Sequence, residues 1–560
     1  MIKNKQISIV VFFFFLIVSG CTQIEKKVLI IGIDGMDPNT TEKLIENGNL
    51  PNFKKLRDSG SFLNLNTSNP PQSPVAWASI ATGTNPAKHN IFDFIIRNPK
   101  TYLPELSIIK NLGGTKYGQN MKGEAFWKIS SKNGIPTTVI RWPGSFPPDK
   151  IKGNMLSGLG VPDINGRLSG YTYYTQNEIK KDLTSPHKKI QIQIDENNII
   201  KTEIFGPSTK KFGEIIPIST ELIIQIFENH IILTVDKKEY EINEDEWSEW
   251  IPVKFNYGFG KKINAIFKVN LIETKLFEMY ATSLQIDPLK AEVDISSPKS
   301  YSNKLAKEMG YYYTLGEPEE IDGFNEGLLP KEAFVSQTEE IINERDFQFK
   351  YEFNKFLKKG GVFAFVFDTS DRLQHLFWDS NTIDPVLLKY YKHKDKLLGE
   401  ILNKIDDDTL LIILSDHGFS KFEKQVEINT WLYQEGYINF DEEISLKDSK
   451  PLFQNVDFSK TKAYSVGFNG IYINEKDREK EGIIDKSKKE DLVNEIILKL
   501  EKMTDKDGKK PIYKAYRKEE IYSGDYLDNA PDIIIGYNVG YRSGYKSPIG
   551  GFHENIISKN

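Results

Sequence analysis

KVLIIGID, residues Lys27 to Asp34, is a run of β-branched and apolar side chains closed by an acid. Such a run fits a strand covered on both faces, as in a parallel sheet, and not the alternating pattern of a half-solvated hairpin. The same grammar recurs in GVFAFVFD (Gly361 to Asp368) and TLLIILSD (Thr409 to Asp416). Between these, about Asp384 to Ile405 reads as a helix, as do roughly Asn39 to Gly60 after the first run and Gln337 to Lys359 before the second. Strands alternating with helices argue for an α/β sheet with crossover connections. In open sheets of this kind ligands bind beyond the carboxyl ends of the strands. Asp34, Asp368 and Asp416 all fall there.

Residues 187–298 have another texture. KKIQIQID, NHIILTVDKKEYEI, WIPVKFNYGF and NAIFKVNLIE alternate with period two and are separated by turn-forming residues, which predicts an inserted antiparallel β-rich domain. The chain then divides into a first core segment, 27–186, the insert, 187–298, and a second core segment, 299–560. Its 560 residues suit such a two-part plan. With 73 basic against 78 acidic side chains, there is no basic excess of the kind that marks nucleic-acid binding, and no nucleic-acid partner is expected.

Residues 1–20 read as an address. Lys3 and Lys5 precede the apolar run Ile7 to Val18, which is too short to cross a bilayer as a helix. Val18-Ser19-Gly20-Cys21 follows, and Cys21 is the only cysteine of the chain, so an intramolecular disulfide and a cysteine-built zinc site are excluded. The arrangement resembles a bacterial lipoprotein signal. It implies lipidation at Cys21, a membrane anchor and a place in the cell envelope outside the cytoplasm; an ordinary secretory signal is the alternative.

The chemistry-bearing residues cluster near the strand ends. Asp371 and His375 are four apart, on one face if helical. Asp416-His417 puts a carboxylate and an imidazole side by side before Gly418. With Asp34, these offer the oxygen and nitrogen ligands that suit a divalent ion such as zinc. Ser73 stands between Pro71 and Pro74 in a block, Pro70 to Gly83, that continues to His89. Two roles suit a hydroxyl there: capping the helix that begins near Pro74, or acting as a nucleophile activated by a metal.

Together, Ile33-Asp34-Gly35, the Ser73 to Gly83 block, Asp371-x-x-x-His375 and Ser415-Asp416-His417-Gly418 resemble the alkaline phosphatase superfamily, in its type I phosphodiesterase and nucleotide pyrophosphatase branch. Arg141 to Pro148, Leu373 to Trp378, Ala463 to Asn474 and Ala530-Pro531-Asp532 share the resemblance. It implies an α/β/α sandwich and hydrolysis of a small phosphate ester with two divalent ions, zinc by ligand type. Asp34, Asp416, His417 and the Ser73 oxygen would hold one ion and Asp371 and His375 the other. Ser73 would attack phosphorus, and water would hydrolyse the phosphoserine.

The chain also departs from that pattern. The residue twenty-one after Ser73, an Asn in nucleotide pyrophosphatases, is Phe94, which cannot donate a hydrogen bond and leaves monoester and diester both open. Ser73-Pro-Val-Ala-Trp77 lacks the arginine of a sulfatase signature, and Asp34-Gly-Met-Asp37 has the wrong spacing for a haloacid dehalogenase nucleophile. The late histidine that closes the second metal site in relatives has no match in context. His553, in Phe552-His553-Glu554, is the C-terminal histidine present; the other explanation is that the sequence stops short. A lipid-anchored surface protein that keeps the phosphatase fold for binding, with catalysis impaired, is the second reading.

Overall fold

A computed structural model describes residues 27–559 apart from 180–184, 212–213, 259–260, 380–381 and 443. Residues 1–20 and Cys21 lie outside the described residues. Six strands form the central sheet: β1 (Lys27–Ile33), β2 (Thr137–Trp142), β3 (Gly153–Ser157), β4 (Ser296–Ser297), β5 (Gly361–Phe367) and β6 (Thr409–Leu414). Their spatial order is β4-β3-β2-β5-β1-β6. All neighbours are parallel except β4, which closes one edge antiparallel to β3. The three apolar runs are thus β5, β1 and β6, side by side, and their terminal acids share one end of the sheet.

Side chains of β1 and β5 alternate between two apolar layers, which makes the core a sandwich with helices on both faces. Leu29, Ile31, Ile33, Phe363, Phe365 and Phe367 pack against Leu44, Phe53, Phe349 and Leu398. Those partners belong to α1 (Pro38–Glu46), α2 (Pro51–Ser59), α4 (Lys331–Lys359) and α6 (Pro385–Leu402). Ile30, Ala364 and Val366 face the opposite layer with Trp77 of α3 (Ser73–Thr82) and Trp142. Gly32 has a packing reason: a Cβ there would come within 2.4 Å of the Trp77 ring.

Two sequence expectations are corrected. The single helix from about Asn39 to Gly60 is two, α1 and α2, because Gly48 turns the chain at φ +73° and Pro51, which has no N–H to continue a helix, opens the second. The third apolar run is not covered on both faces. As the edge strand, β6 leaves Leu410 57% and Ile412 36% exposed.

The antiparallel region forms separate sheets. Ile199–Lys211, Glu214–Ile226, His230–Val235 and Lys238–Asn243 make one meander. Thr172–Thr175 pairs with both Lys188–Gln191 and Glu278–Ala281, while Ser296–Ser297 belongs to the central sheet as β4. Near the C-terminus Ala463–Ser465, Gly470–Ile473, Ile533–Tyr537 and Ile512–Arg517 form a further sheet. Buried Asp532 joins it to Arg478 at 2.6 Å and Lys489 at 2.7 Å, so the Ala530-Pro531-Asp532 motif is a structural ion-pair node. No helix among the described residues is long and apolar enough to cross a membrane.

Candidate active site

The end of β1 turns sharply at Gly35, whose φ of +68° favours a residue without Cβ. A Cβ there would also approach Asp371 Oδ1 to 3.0 Å. The turn is fastened to its neighbours on both sides. Ser370 Oγ donates to the Asp34 carbonyl at 2.6 Å and Gln374 Nε2 to the Gly35 carbonyl at 2.7 Å, both from α5 (Thr369–Phe377). From the β6 side, Gly35 N–H donates to Asp416 Oδ1 at 3.1 Å and Met36 N–H to Ser415 Oγ at 2.9 Å. Thr67 Oγ1 donates to the Asp416 carbonyl at 2.7 Å. The three acid-bearing segments are therefore locked together by hydrogen bonds before any ligand is considered.

Ser73 is the first residue of α3, and its hydroxyl does not cap the helix: the N-cap position is Gln72. Ser73 Oγ lies 3.1 Å from His417 Nε2 and 3.4 Å from Asp34 Oδ1. Trp77, one turn on, donates its indole N–H to Asp34 Oδ2 at 2.8 Å, so α3 is pinned to the acid beside its own serine. His417 Nδ1 sits 2.8 Å from the Gly418 carbonyl, an acceptor, which assigns the ring proton to Nδ1 in the neutral tautomer and leaves the Nε2 lone pair facing the acids. That nitrogen is 3.3 Å from Asp416 Oδ2, 3.8 Å from Asp34 Oδ1 and 3.9 Å from Asp371 Oδ1.

One ligand atom from each of Asp34, Asp371 and His417 lies within 4.8 Å of the others. Asp371 also extends the group outward, its Oδ2 being 3.4 Å from His375 Nε2. The structure thus brings together Asp34, Ser73, Asp371, Asp416 and His417, with His375 on the more exposed margin, its side chain 39% accessible. His553 donates its backbone N–H to Thr430 Oγ1 at 2.9 Å, and its Nδ1 accepts the Asn555 N–H at 3.0 Å. Phe94 puts its ring against Phe468, and its N–H donates to Gln72 Oε1 at 3.0 Å. The Gln72 amide nitrogen is committed to Asp93 and Asn469.

Packing several carboxylates out of water sets their charges against one another. Burial first, then the Asp416 and Asp371 charges, raise Asp34 well above the usual carboxylate range. Burial also raises Asp416, against the pull of His417. For Asp371, burial is outweighed by His375, Arg372 and His417, and it stays well below the usual range. Burial lowers His417, but Asp416 and Asp371 carry it above its ordinary value. Asp371 Oδ1 and Asp416 Oδ2 are buried without a hydrogen-bond partner, a costly state for carboxylate oxygens. Two partnerless carboxylate oxygens beside an imidazole nitrogen are a donor set that fits a divalent cation.

Several contributors were not legible as site residues. Arg372, beside Asp371, pairs with Glu317 and lies 3.6 Å from Asp371 Oδ2. Ser370 and Gln374 are four apart, as Asp371 and His375 are, so a second helical register within α5 was the signal that would have flagged them. Trp77, Gln72, Asp93 and Thr67 carry no local signature.

A sequence model of the family described as type I phosphodiesterase / nucleotide pyrophosphatase matches residues 28–204 and 235–554. That is most of the chain, and the chain belongs to this family, hydrolases of the alkaline phosphatase superfamily that act by phosphoryl transfer. Among solved structures the chain is similar to phosphonoacetate hydrolase from Sinorhizobium meliloti 1021 in complex with phosphonoformate, with TM-score 0.42 and 12% identity over 96% of this chain and 89% of that one. It is also similar to murine ectonucleotide pyrophosphatase/phosphodiesterase 5, with TM-score 0.39 and 10% identity over 95% and 84% respectively. No curated protein sequence gives a significant match.

Proposed function

We propose that this protein hydrolyses a small phosphate ester with Ser73 as nucleophile and two divalent ions, zinc by ligand type, as cofactors. Asp34, Asp416, His417 and Ser73 would hold one ion and Asp371 with His375 the other. Bound there, divalent ions supply the positive charge that stabilises the entering and leaving oxygens of phosphoryl transfer. Ser73 Oγ gives up its proton to solvent and bonds to phosphorus as the bond to the ester oxygen breaks, and the departing alkoxide takes a proton back from solvent to leave as an alcohol. Water then cleaves the phosphoserine, releasing phosphate or a phosphomonoester and restoring the hydroxyl. Trp77 and the Gly35 turn hold Asp34 in place throughout.

The observation that carries this reading is the aim of Ser73 Oγ, at 3.1 Å from His417 Nε2 and 3.4 Å from Asp34 Oδ1, with no capping role. The test is hydrolysis of one aryl phosphate monoester and one diester by protein lacking residues 1–20, with added zinc and a chelator control. Chelator-sensitive turnover that vanishes in Ser73→Ala is expected. Zinc binding without turnover on either ester would favour the second reading, a binding protein on the same fold.

We also infer from Val18-Ser19-Gly20-Cys21 that Cys21 is lipidated and anchors the protein outside the cytoplasm. Labelled palmitate should enter the full-length protein and not Cys21→Ser; equal labelling contradicts the inference.

A further inference from the structure

The Ala463 to Asn474 motif takes no part in the reaction described above, yet its turn reaches the serine-bearing helix. Ala463–Ser465 and Gly470–Ile473 pair antiparallel, and residues 466–469 between them meet Asp93, which is 1% exposed. Asp93 Oδ2 accepts the backbone N–H groups of Phe468 at 2.8 Å and Asn469 at 3.1 Å, and the Gln72 side-chain amide at 3.0 Å. Its Oδ1 accepts the Ile95 N–H at 3.3 Å. The approach is close: a Cβ on Gly467 would come within 2.8 Å of the Asp93 carboxyl carbon. Gln72 is the residue before Ser73 and the N-cap of α3, but its side chain caps nothing. Its Nε2 also donates to Asn469 Oδ1 at 2.5 Å, and its Oε1 accepts the Phe94 N–H at 3.0 Å. Its carbonyl meanwhile accepts the Ala76 N–H at 2.9 Å, and Asn469 Nδ2 donates to the Ile535 carbonyl at 2.7 Å. The first turn of α3 is thus tied to the C-terminal sheet through the side chain next to the serine.

Four donors converge on Asp93, all of them uncharged amides. Only an ionised carboxylate is acceptor on every side; an amide in its place would turn N–H groups toward N–H groups. The titratable side chains whose charge states respond to Asp93 are Tyr472, Tyr522 and Tyr537, each raised first by burial and so kept neutral. Burial outweighs the four donors and pushes Asp93 up to about 6. A buried carboxylate held by amides alone is costly to keep. What a satisfied buried network of this kind gives in return is one fixed arrangement, and the group fixed here is Gln72.

We propose that Asp93 is a positioning residue for the nucleophile: through Gln72 it holds the first turn of α3, and so the direction in which Ser73 Oγ attacks. The proposal rests on the reading of Ser73 as the nucleophile and gives the C-terminal sheet a part in that same site.

Rapid-quench measurement of phosphoryl transfer from an aryl phosphate to Ser73 tests it, with saturating zinc and at about pH 8, where Asp93 is ionised. Asp93→Asn and Gln72→Ala should each slow the transfer at saturating substrate about tenfold, with the half-saturating concentration kept within about twofold. The double variant should be no slower than the slower single one, because each change breaks the same tether. Gln72→Ala leaves the buried carboxylate in place, so it decides the matter even where Asp93→Asn does not fold. A purely structural role would lower the unfolding free energy and leave the transfer rate within about twofold, which would overturn the proposal. Losses that multiply in the double variant would also overturn it. A wild type that forms no adduct on Ser73 would overturn the reading of the nucleophile, and this inference with it.

Discussion

At the scale of single residues, the site is a balance of buried charges. Asp34, Asp371 and Asp416 are each at most 3% exposed, and Arg372, paired with Glu317, lies 3.6 Å from Asp371 Oδ2. Removing one member of a partly buried pair leaves the other poorly compensated, which costs roughly 1–3 kcal/mol. Arg372→Met should therefore lower stability by about that amount in urea unfolding of metal-free protein; a loss below about 1 kcal/mol would contradict this view of the pair. The motif residues were legible in the sequence because their chemistry is local: acids at strand ends, a carboxylate and an imidazole four apart, a serine between prolines. Arg372, Trp77 and Gln72 were not, since each acts through a partner far along the chain, such as Glu317 for Arg372 and Asp93 for Gln72.

At the scale of elements, the serine-bearing helix α3 is locked at its far end by His89. Ile91 N–H donates to His89 Nδ1 at 3.2 Å, so the ring proton is on Nε2, which donates to Ser79 Oγ at 2.9 Å; Ser79 in turn donates to the Val75 carbonyl at 2.8 Å. Burial lowers His89 to about 4. The fold thus selects the neutral ring, whereas the unfolded chain takes up a proton below about 6.5. Stability from this group is full above that value and is lost as pH falls toward 4, by roughly 3 kcal/mol in all. The difference in unfolding free energy between wild type and His89→Gln should shrink over that interval, and a pH-independent difference would contradict the assignment. The elements themselves were only partly legible. Apolar runs announced β1, β5 and β6, and period-two alternation announced the antiparallel region, because both patterns are intrinsic to the strand. The break between α1 and α2 depended on Gly48 and Pro51 outweighing a continuous apolar spacing.

At the scale of the whole molecule, the central sheet ends on an edge that the sequence misreads. Nothing in TLLIIL distinguishes a covered strand from an edge strand; only the order of strands, a tertiary property, leaves Leu410 and Ile412 in solvent. An apolar, unguarded edge promotes association. Leu410→Lys should reduce self-association in light scattering while shifting unfolding by less than about 0.5 kcal/mol; unchanged association would contradict it. The sheet order does more than set edges. It lays β1 between β5 and β6, so that Asp34, Asp371 and Asp416-His417 meet under the N-terminus of α3, and the central claim is that this meeting point makes Ser73 a nucleophile. Acid quenching during turnover of an aryl phosphate, followed by mass analysis of the peptide that contains Ser73, tests it most directly. The account predicts a phosphoryl adduct on Ser73 that disappears, with turnover, in Ser73→Ala; sustained turnover by Ser73→Ala with no adduct on the wild-type peptide would contradict it.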